Sequence, residues 1–274
     1  MTLAQQPTIQ QVPPFLATQP AAAKPALQHN ATLLEREDVT DSMAAFSLAL
    51  DQPLESFRPG QYVSLGVTVD RALIQRPYSV VALHGHADRL ELFIRRVPDG
   101  ALSSRLWRLP IGARVRVGQP KGLFVLDESD PRPRLFIGTG TGLAPLLAML
   151  EALMERGGDT TNVLVHGVSY RDELAYGYRI ASWMATGLPL VYRPTLSRPD
   201  DARNEGWRGF SGRADAAVSR LLDEMPMLKS GVAYMCGNGS MVEACSRLLL
   251  EAGLPAEDVR SEKFHAPTTG QPLA

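Results

Sequence analysis

The chain has 274 residues, 45% hydrophobic and 21% charged, enough for two buried cores at roughly 100 to 200 residues per domain. Lys+Arg 28 against Asp+Glu 29 leaves a net charge of -1, which excludes a protein-wide electrostatic footprint for nucleic acid. Two cysteines, Cys236 and Cys245, exclude a disulfide framework, a four-cysteine zinc site and a four-thiolate iron–sulfur cluster. No apolar run reaches the roughly 18 residues of a membrane helix, and no basic stretch leads into an apolar one. The expectation is a cytoplasmic protein with no metal site and no membrane partner.

Residues 1–30 carry six Gln, six Ala and five Pro with one formal charge, Lys24, and no periodic apolar face. Such a segment does not offset its ordering entropy and reads as a flexible tail. From Ala31 to Glu128 the chain breaks into short strands: Ala44–Leu50, Tyr62–Leu65, Tyr78–Leu83, Leu90–Ile94 and Arg114–Val117. Turn signals such as Arg58-Pro-Gly60, Pro98-Asp-Gly100 and Pro110-Ile-Gly112 separate them, which predicts a small antiparallel β-barrel. Leu102 to Leu109 has the spacing of a short helix plugging one barrel end.

After Pro131-Arg-Pro133, read as an interdomain hinge, strand and helix alternate. Strands are predicted at Leu135–Ile137, Asn162–Val168, Leu190–Pro194 and Gly231–Met235, and helices at Ala144–Arg156, Asp172–Ala185, Ala214–Glu224 and Ser240–Gly253. That alternation predicts an α/β domain with a parallel sheet covered on both faces. The domain limits are therefore 1–30, 31–130, 131–265 and a C-terminal extension 266–274.

Two glycine clusters follow strands and precede helices, where a parallel sheet opens its ligand crevice. Gly138-Thr-Gly-Thr-Gly-Leu-Ala-Pro145 places Gly140, Thr141 and Gly142 at a helix N-terminus suited to a phosphate. The same glycines also suit a plain tight turn, and Leu143 occupies the third glycine position of the usual dinucleotide fingerprint. The second cluster, Cys236-Gly-Asn-Gly239, offers Gly237 and Asn238, with Cys236 either a small core residue or a reactive one. In the first half, Arg76-Pro-Tyr-Ser79 supplies a guanidinium for phosphate, a flat aromatic for a ring system and a hydroxyl.

In this order, with Val97-Pro-Asp-Gly-Ala-Leu-Ser-Ser-Arg105, Val165-His-Gly167, Glu173-Leu-Ala-Tyr176, Ser197-Arg198 and Glu262-Lys-Phe264, the motifs resemble the ferredoxin–NADP reductase family, within it the compact bacterial ferredoxin (flavodoxin) reductases. The resemblance spans about Ala31 to His265. It implies an FAD-binding barrel, then an NADP-binding domain. Arg76 would hold FAD phosphate, with Pro77 beside it, Tyr78 on the isoalloxazine and Ser79 near flavin N5. Phe93, Ala101, Leu102, Ser103 and Thr139 match further FAD contacts, and Phe264 and His265 the aromatic segment over the flavin. His265 is either a polar cap or a proton relay. Ser197, Arg198 and Arg213 match the 2′-phosphate site of NADP(H), and Cys236 the neighbour of the nicotinamide. Ser79, Cys236 and Phe264 are thus the candidate catalytic residues.

The position of a further arginine in close relatives is Ser169 here, for which Arg171, Arg203 or Arg208 would compensate, and no acidic residue stands directly at the end of the second strand, where an NAD site would hold ribose hydroxyls. The implied reaction is hydride transfer between NADP(H) and FAD, with single electrons passed to ferredoxin or flavodoxin. A net charge of +7 from Arg71 to Lys121 either steers such an acidic partner or is neutralised by the second domain. The expected assembly is a monomer. Two alternatives stand: the NAD(P)H-dependent reductase component of an oxygenase or a free-flavin reductase, and a non-enzymatic redox-sensing module.

Overall fold

A computed structural model describes residues 29–84 and 87–264. The proposed N-terminal tail, His265 and the 266–274 extension lie almost wholly or wholly outside them. The first half is a closed antiparallel barrel of β1 (Ala31–Thr40), β2 (Met43–Leu50), β3 (Tyr62–Val69), β4 (Ala72–His84), β5 (Arg89–Arg95) and β6 (Arg114–Val117), ordered β1-β2-β5-β4-β3-β6. Period-two alternation turns Leu33, Phe46, Leu48, Leu65, Leu92 and Ile94 into its core. The helix read at Leu102–Leu109 shrinks to the single turn α1 (Ser103–Leu106), with Leu102 and Leu106 packed in that core. Strand β1 was not expected. Its second half is mostly polar and Leu34 faces solvent, which leaves little apolar alternation to read.

The second half is a six-stranded parallel sheet, ordered β10-β9-β8-β7-β11-β12, from β7 (Arg134–Thr139), β8 (Asn162–Val168), β9 (Leu190–Leu196), β10 (Phe210–Ser211), β11 (Val232–Asn238) and β12 (Val259–Phe264). Helices α2 (Leu143–Arg156) and α3 (Gly177–Ala185) cover one face, and α4 (Ala214–Glu224) and α5 (Gly239–Glu251) the other. The helix expected over Asp172–Ala185 is corrected: Arg171–Glu173 form a separate 3-10 turn, and Tyr176, at φ 63°, breaks the path before α3. Strand order reverses between β7 and β11, so their C-terminal ends part and leave the crevice in which α/β sheets take ligands.

Helix α2 is buried around most of its circumference, unlike a one-faced surface helix, because it lies between the sheet and the barrel. Met43, Val81, Ala82, Phe93, Phe124 and Leu126 from the barrel side share one apolar cluster with Leu146, Leu147 and Leu150 of α2. The proposed hinge at Pro131–Pro133 is a pinned strap. Arg132 is held by Asp130 (2.7 Å) and Asp258 (2.6 Å), and the Asp127 N–H donates to the Tyr234 hydroxyl (3.1 Å).

Candidate functional site

A cleft of about 1200 Å³ runs along the junction of barrel and sheet. On the barrel side, β4 pairs with β3 so that Tyr78 faces Val63 and Ser79 faces Tyr62, and the strand's alternation sends the two side chains to opposite faces. Arg76, Pro77, Tyr78 and Ser79 all line the cleft, as do Phe93 and the turn Ala101-Leu102-Ser103. Burial pushes the Tyr78 phenol up to about 12, so it stays neutral. Phe93 is nearly covered, its ring edge-on to Tyr176 at 5.2 Å. The Ser103 hydroxyl accepts from the Val97 N–H (3.0 Å), which closes the turn.

On the sheet side, Thr139, Gly140, Thr141, Ser197, Arg198, Arg213, Asn238 and Phe264 complete the lining. Thr139 bridges the parted strands, its hydroxyl accepting from the Asn238 N–H at 3.1 Å. Gly142, Cys236 and Gly237 lie behind this surface. A Cβ on Gly142 would stand 2.2 Å from the Cys236 carbonyl oxygen, so only glycine lets the turn seat on β11. Gly142→Ala should cost about 2 kcal/mol through forced backbone displacement, read as a lower thermal midpoint. An unchanged midpoint would show that the turn is free to relax.

Cys236 is fully buried, and burial with the nearby Glu262 carboxyl pushes its thiol well up, so it is neutral and covered. Glu262 of the Glu262-Lys-Phe264 motif is its register partner on β12. Burial raises its pKa against a smaller lowering by the nearby Ser79 hydroxyl, and its Oε2 has no hydrogen-bond partner among the described residues. Strand β12 that carries it is a half-exposed edge strand without apolar alternation, which is why the sequence did not reveal it.

Around Arg198, the guanidinium lies 5.3 Å over the Tyr170 ring, and the Ser197 hydroxyl donates to the Val168 carbonyl (3.3 Å). Arg213 donates to the Ser240 hydroxyl (3.2 Å) and faces Asp215 at 3.6 Å. Buried Asn204 fastens the long loop after β9, accepting from the Arg171 N–H (2.7 Å) and donating to the Ser169 (2.9 Å) and Arg198 (2.7 Å) carbonyls. Two expected compensating cations are occupied elsewhere: Asp172 grips Arg203 at 2.7 Å beside the Tyr170 ring, and Arg171 donates to the Glu205 carbonyl (3.3 Å). Glu173 does approach the end of β8, but its Oε2 accepts from the Ser169 (2.9 Å) and Tyr170 (3.3 Å) N–H groups and its Oε1 from Arg95 (3.2 Å).

Flat aromatic walls, exposed cations at separated points, two hydroxyls and an unpartnered buried carboxyl oxygen fit a flavin and a nicotinamide dinucleotide in one cleft. Among the described residues there is no cluster of three metal-ligating side chains and no helix long and apolar enough to cross a membrane.

Family comparison agrees with that chemistry. Residues 30–126 match the family described as Oxidoreductase FAD-binding domain, and 136–247 match Oxidoreductase NAD-binding domain. Ferredoxin–NADP reductase B of Sorangium cellulosum is 31% identical over 212 residues, covering 76% of this chain and 85% of that protein. The chain belongs to the ferredoxin–NADP reductase family. As a member it is an oxidoreductase built on FAD and a nicotinamide nucleotide. The ferredoxin–NADP reductase of Pseudomonas aeruginosa is 32% identical, with 78% and 86% of the two chains covered. The reductase component of the naphthalene 1,2-dioxygenase/salicylate 5-hydroxylase systems of a Ralstonia species is 30% identical, with 88% and 70% covered. Among solved structures, an Amycolatopsis cytochrome P450 reductase superposes with a TM-score of 0.75 at 31% identity, over 86% of this chain and 69% of that one. These likenesses extend the family's two-domain frame to reductases longer than this chain.

Proposed function

We propose that this reductase transfers a hydride between NADP(H) and bound FAD, and exchanges single electrons between the flavin and a separate ferredoxin or flavodoxin. The observation that carries the reading is the convergence in one cleft of Arg76-Pro-Tyr-Ser79 from the barrel with Ser197, Arg198 and Arg213 from the sheet. Bound FAD supplies the conversion between a two-electron hydride and single electrons. Tyr78 and Phe264 flank its ring system, Arg76 and the Ala101–Ser103 turn take its phosphates, and Ser79 stands at the reacting edge with Glu262 behind it. Arg198 and Arg213 take the 2′-phosphate, since guanidinium forks match phosphate oxygens. The acid nearest the end of β8, Glu173, has both oxygens engaged, which disfavours an NAD-type ribose contact. Thr141, Gly140 and Asn238 line the path between the two rings' phosphates, and Cys236 supports the turn from behind.

With two cysteines, both buried, this sequence holds no four-thiolate cluster. The basic barrel segment is partly spent: Arg114 pairs with Asp51 (2.7 Å) and Arg95 with Glu173 (3.2 Å) across the domains. Arg71 and Lys121 remain exposed to steer an acidic partner toward a monomeric enzyme. A second reading, the reductase component of an oxygenase, draws on the Ralstonia relative and shares every residue role above except the acceptor.

Rapid mixing of the anaerobic holoenzyme with NADPH or NADH, followed by a screen of ferredoxins, flavodoxins and oxygenase components, tests the reading. Arg198→Ala should weaken NADPH by about 1.5 to 3 kcal/mol and leave NADH unchanged, as expected for one charge-assisted bond. Equal losses for both nucleotides, or faster reduction by NADH in the parent enzyme, would remove the 2′-phosphate assignment.

A further inference from the structure

We propose that the Glu91–Arg179 ion pair, together with Tyr176, is an interdomain clamp that positions the nucleotide domain for hydride transfer to the flavin, an inference that rests on the reading of the cleft as a flavin–nicotinamide site. On β5, Leu90, Leu92 and Ile94 point into the barrel core, so alternation sends Glu91, Phe93 and Arg95 to the opposite face. All three meet the segment that leads into α3, in reversed order. Glu91 Oε2 accepts from Arg179 at 2.8 Å, the Phe93 ring stands edge-on to Tyr176 at 5.2 Å, and Arg95 donates to Glu173 at 3.2 Å. The two end pairs have opposite polarity. Laid in the other direction, the segment would set Glu91 against Glu173 and Arg95 against Arg179, so charge fixes how the second domain seats on the barrel.

The chain path fits this register only with strain. Alternate residues of a strand stand about 6.6 Å apart, whereas three residues of an unbroken α-helix rise only about 4.5 Å. Tyr176 resolves the mismatch with a left-handed φ of 63°, between the 3-10 turn at Arg171–Glu173 and α3. In a residue other than glycine that conformation costs about 1 kcal/mol or more, and it persists where the surroundings impose it. Here the Tyr176 ring is held between Phe93 and the Arg179 guanidinium, 5.0 Å over its face. Glu91 is 7% exposed, which shields the pair from solvent screening, and His84 Nε2 lies 3.5 Å from the same carboxylate oxygen. Phe93 reaches the cleft wall, whereas neither Glu91 nor Arg179 lines it. The pair therefore acts on the flavin through Tyr176 and Phe93, and on the nucleotide through the seat of its domain. Both are positioning residues.

Removing one partner of a shielded pair leaves the other charge uncompensated and endangers folding, so the decisive variant of the holoenzyme replaces both, Glu91→Gln with Arg179→Met. Rapid mixing at saturating nucleotide reads the limiting rate of flavin reduction. That rate should fall about tenfold, the scale of a small misplacement of reacting groups, and equally with NADPH and NADH. The dissociation constant of NADP+, by difference absorbance, and the release of FAD, by flavin fluorescence after dilution, should stay at the parent values. Arg179→Lys, which keeps a cation for both Glu91 and the Tyr176 ring, should retain more of the rate than the double variant does. A parent-like limiting rate in the double variant, whatever its thermal midpoint, overturns the proposal, because the pair would then serve stability alone. A loss confined to one nucleotide, or one seen as weaker NADP+ binding with the limiting rate intact, overturns it as well. A parent enzyme that holds no FAD, or whose flavin neither nucleotide reduces, would instead overturn the reading of the cleft.

Discussion

Ser79→Ala is expected to slow flavin reduction by NADPH about 100-fold while the enzyme keeps its flavin and its affinity for the nucleotide, the scale seen when one preorganised hydrogen-bond donor is lost from a reacting centre. Ser79 is 6% exposed on the cleft lining, and its hydroxyl lowers the pKa of the nearby Glu262 carboxyl. Burial raises the Glu262 pKa, so the carboxyl holds its proton to higher pH than a free glutamate. The serine hydroxyl acts in the opposite sense, favouring the charged form. Removing the hydroxyl should therefore move the Glu262 midpoint further up, seen as a shift to higher pH in the pH profile of flavin reduction. A parent-like rate and profile in Ser79→Ala would remove Ser79 from the reaction.

The second large effect concerns stability and acid. His166, on β8 one residue before the cleft, is fully buried, and burial lowers its pKa to about 4. Its Nδ1 meets the Tyr192 hydroxyl at 3.1 Å, while Nε2 has no hydrogen-bond partner among the described residues. In the unfolded chain the imidazole titrates near pH 6.5, so between pH 6.5 and 4 the unfolded state binds the proton and the folded state does not. Stability contributed by this depressed group is present above pH 6.5 and lost as pH falls toward 4. At roughly 1.4 kcal/mol per pKa unit the loss from pH 7 to pH 5 is about 2 kcal/mol. Urea midpoints at the two pH values should show that drop in the parent protein, and His166→Gln should abolish most of it. An equal drop in both proteins would place the acid sensitivity elsewhere.

The sequence was most legible where burial is symmetric or strictly periodic. Strands β6 and β8 and helix α4 have the limits read from their residues, since strict alternation marks β6, a fully buried apolar run β8 and a one-faced apolar period α4. Legibility failed at elements with one wet face, β1 and β12, and at Tyr176, where a left-handed residue divides a plausible helical pattern. The same division holds in the site. Motif residues from the two halves line one cleft, but the groups that set their chemistry are partners distant in sequence, such as Arg95 with Glu173 and Ser79 with Glu262. Local pattern carries no trace of such pairings. Asn204, isolated in an irregular loop, offered no signal at all, although it ties together the backbone at Ser169, Arg171 and Arg198.

Helix α2 buries one side against the sheet and the other against the barrel, with Met43, Val81 and Phe93 completing the same apolar cluster. Neither half owns that cluster, so the two domains are not interchangeable cassettes. A hybrid reductase assembled by joining this α/β half to another family member's barrel would present α2 to a wall shaped for different side chains, and compatibility between halves would be decided there, some distance from any cofactor. Divergence in this family member is thus constrained pairwise: a change of bulk on the barrel face of α2 calls for a matching change on β4 or β5.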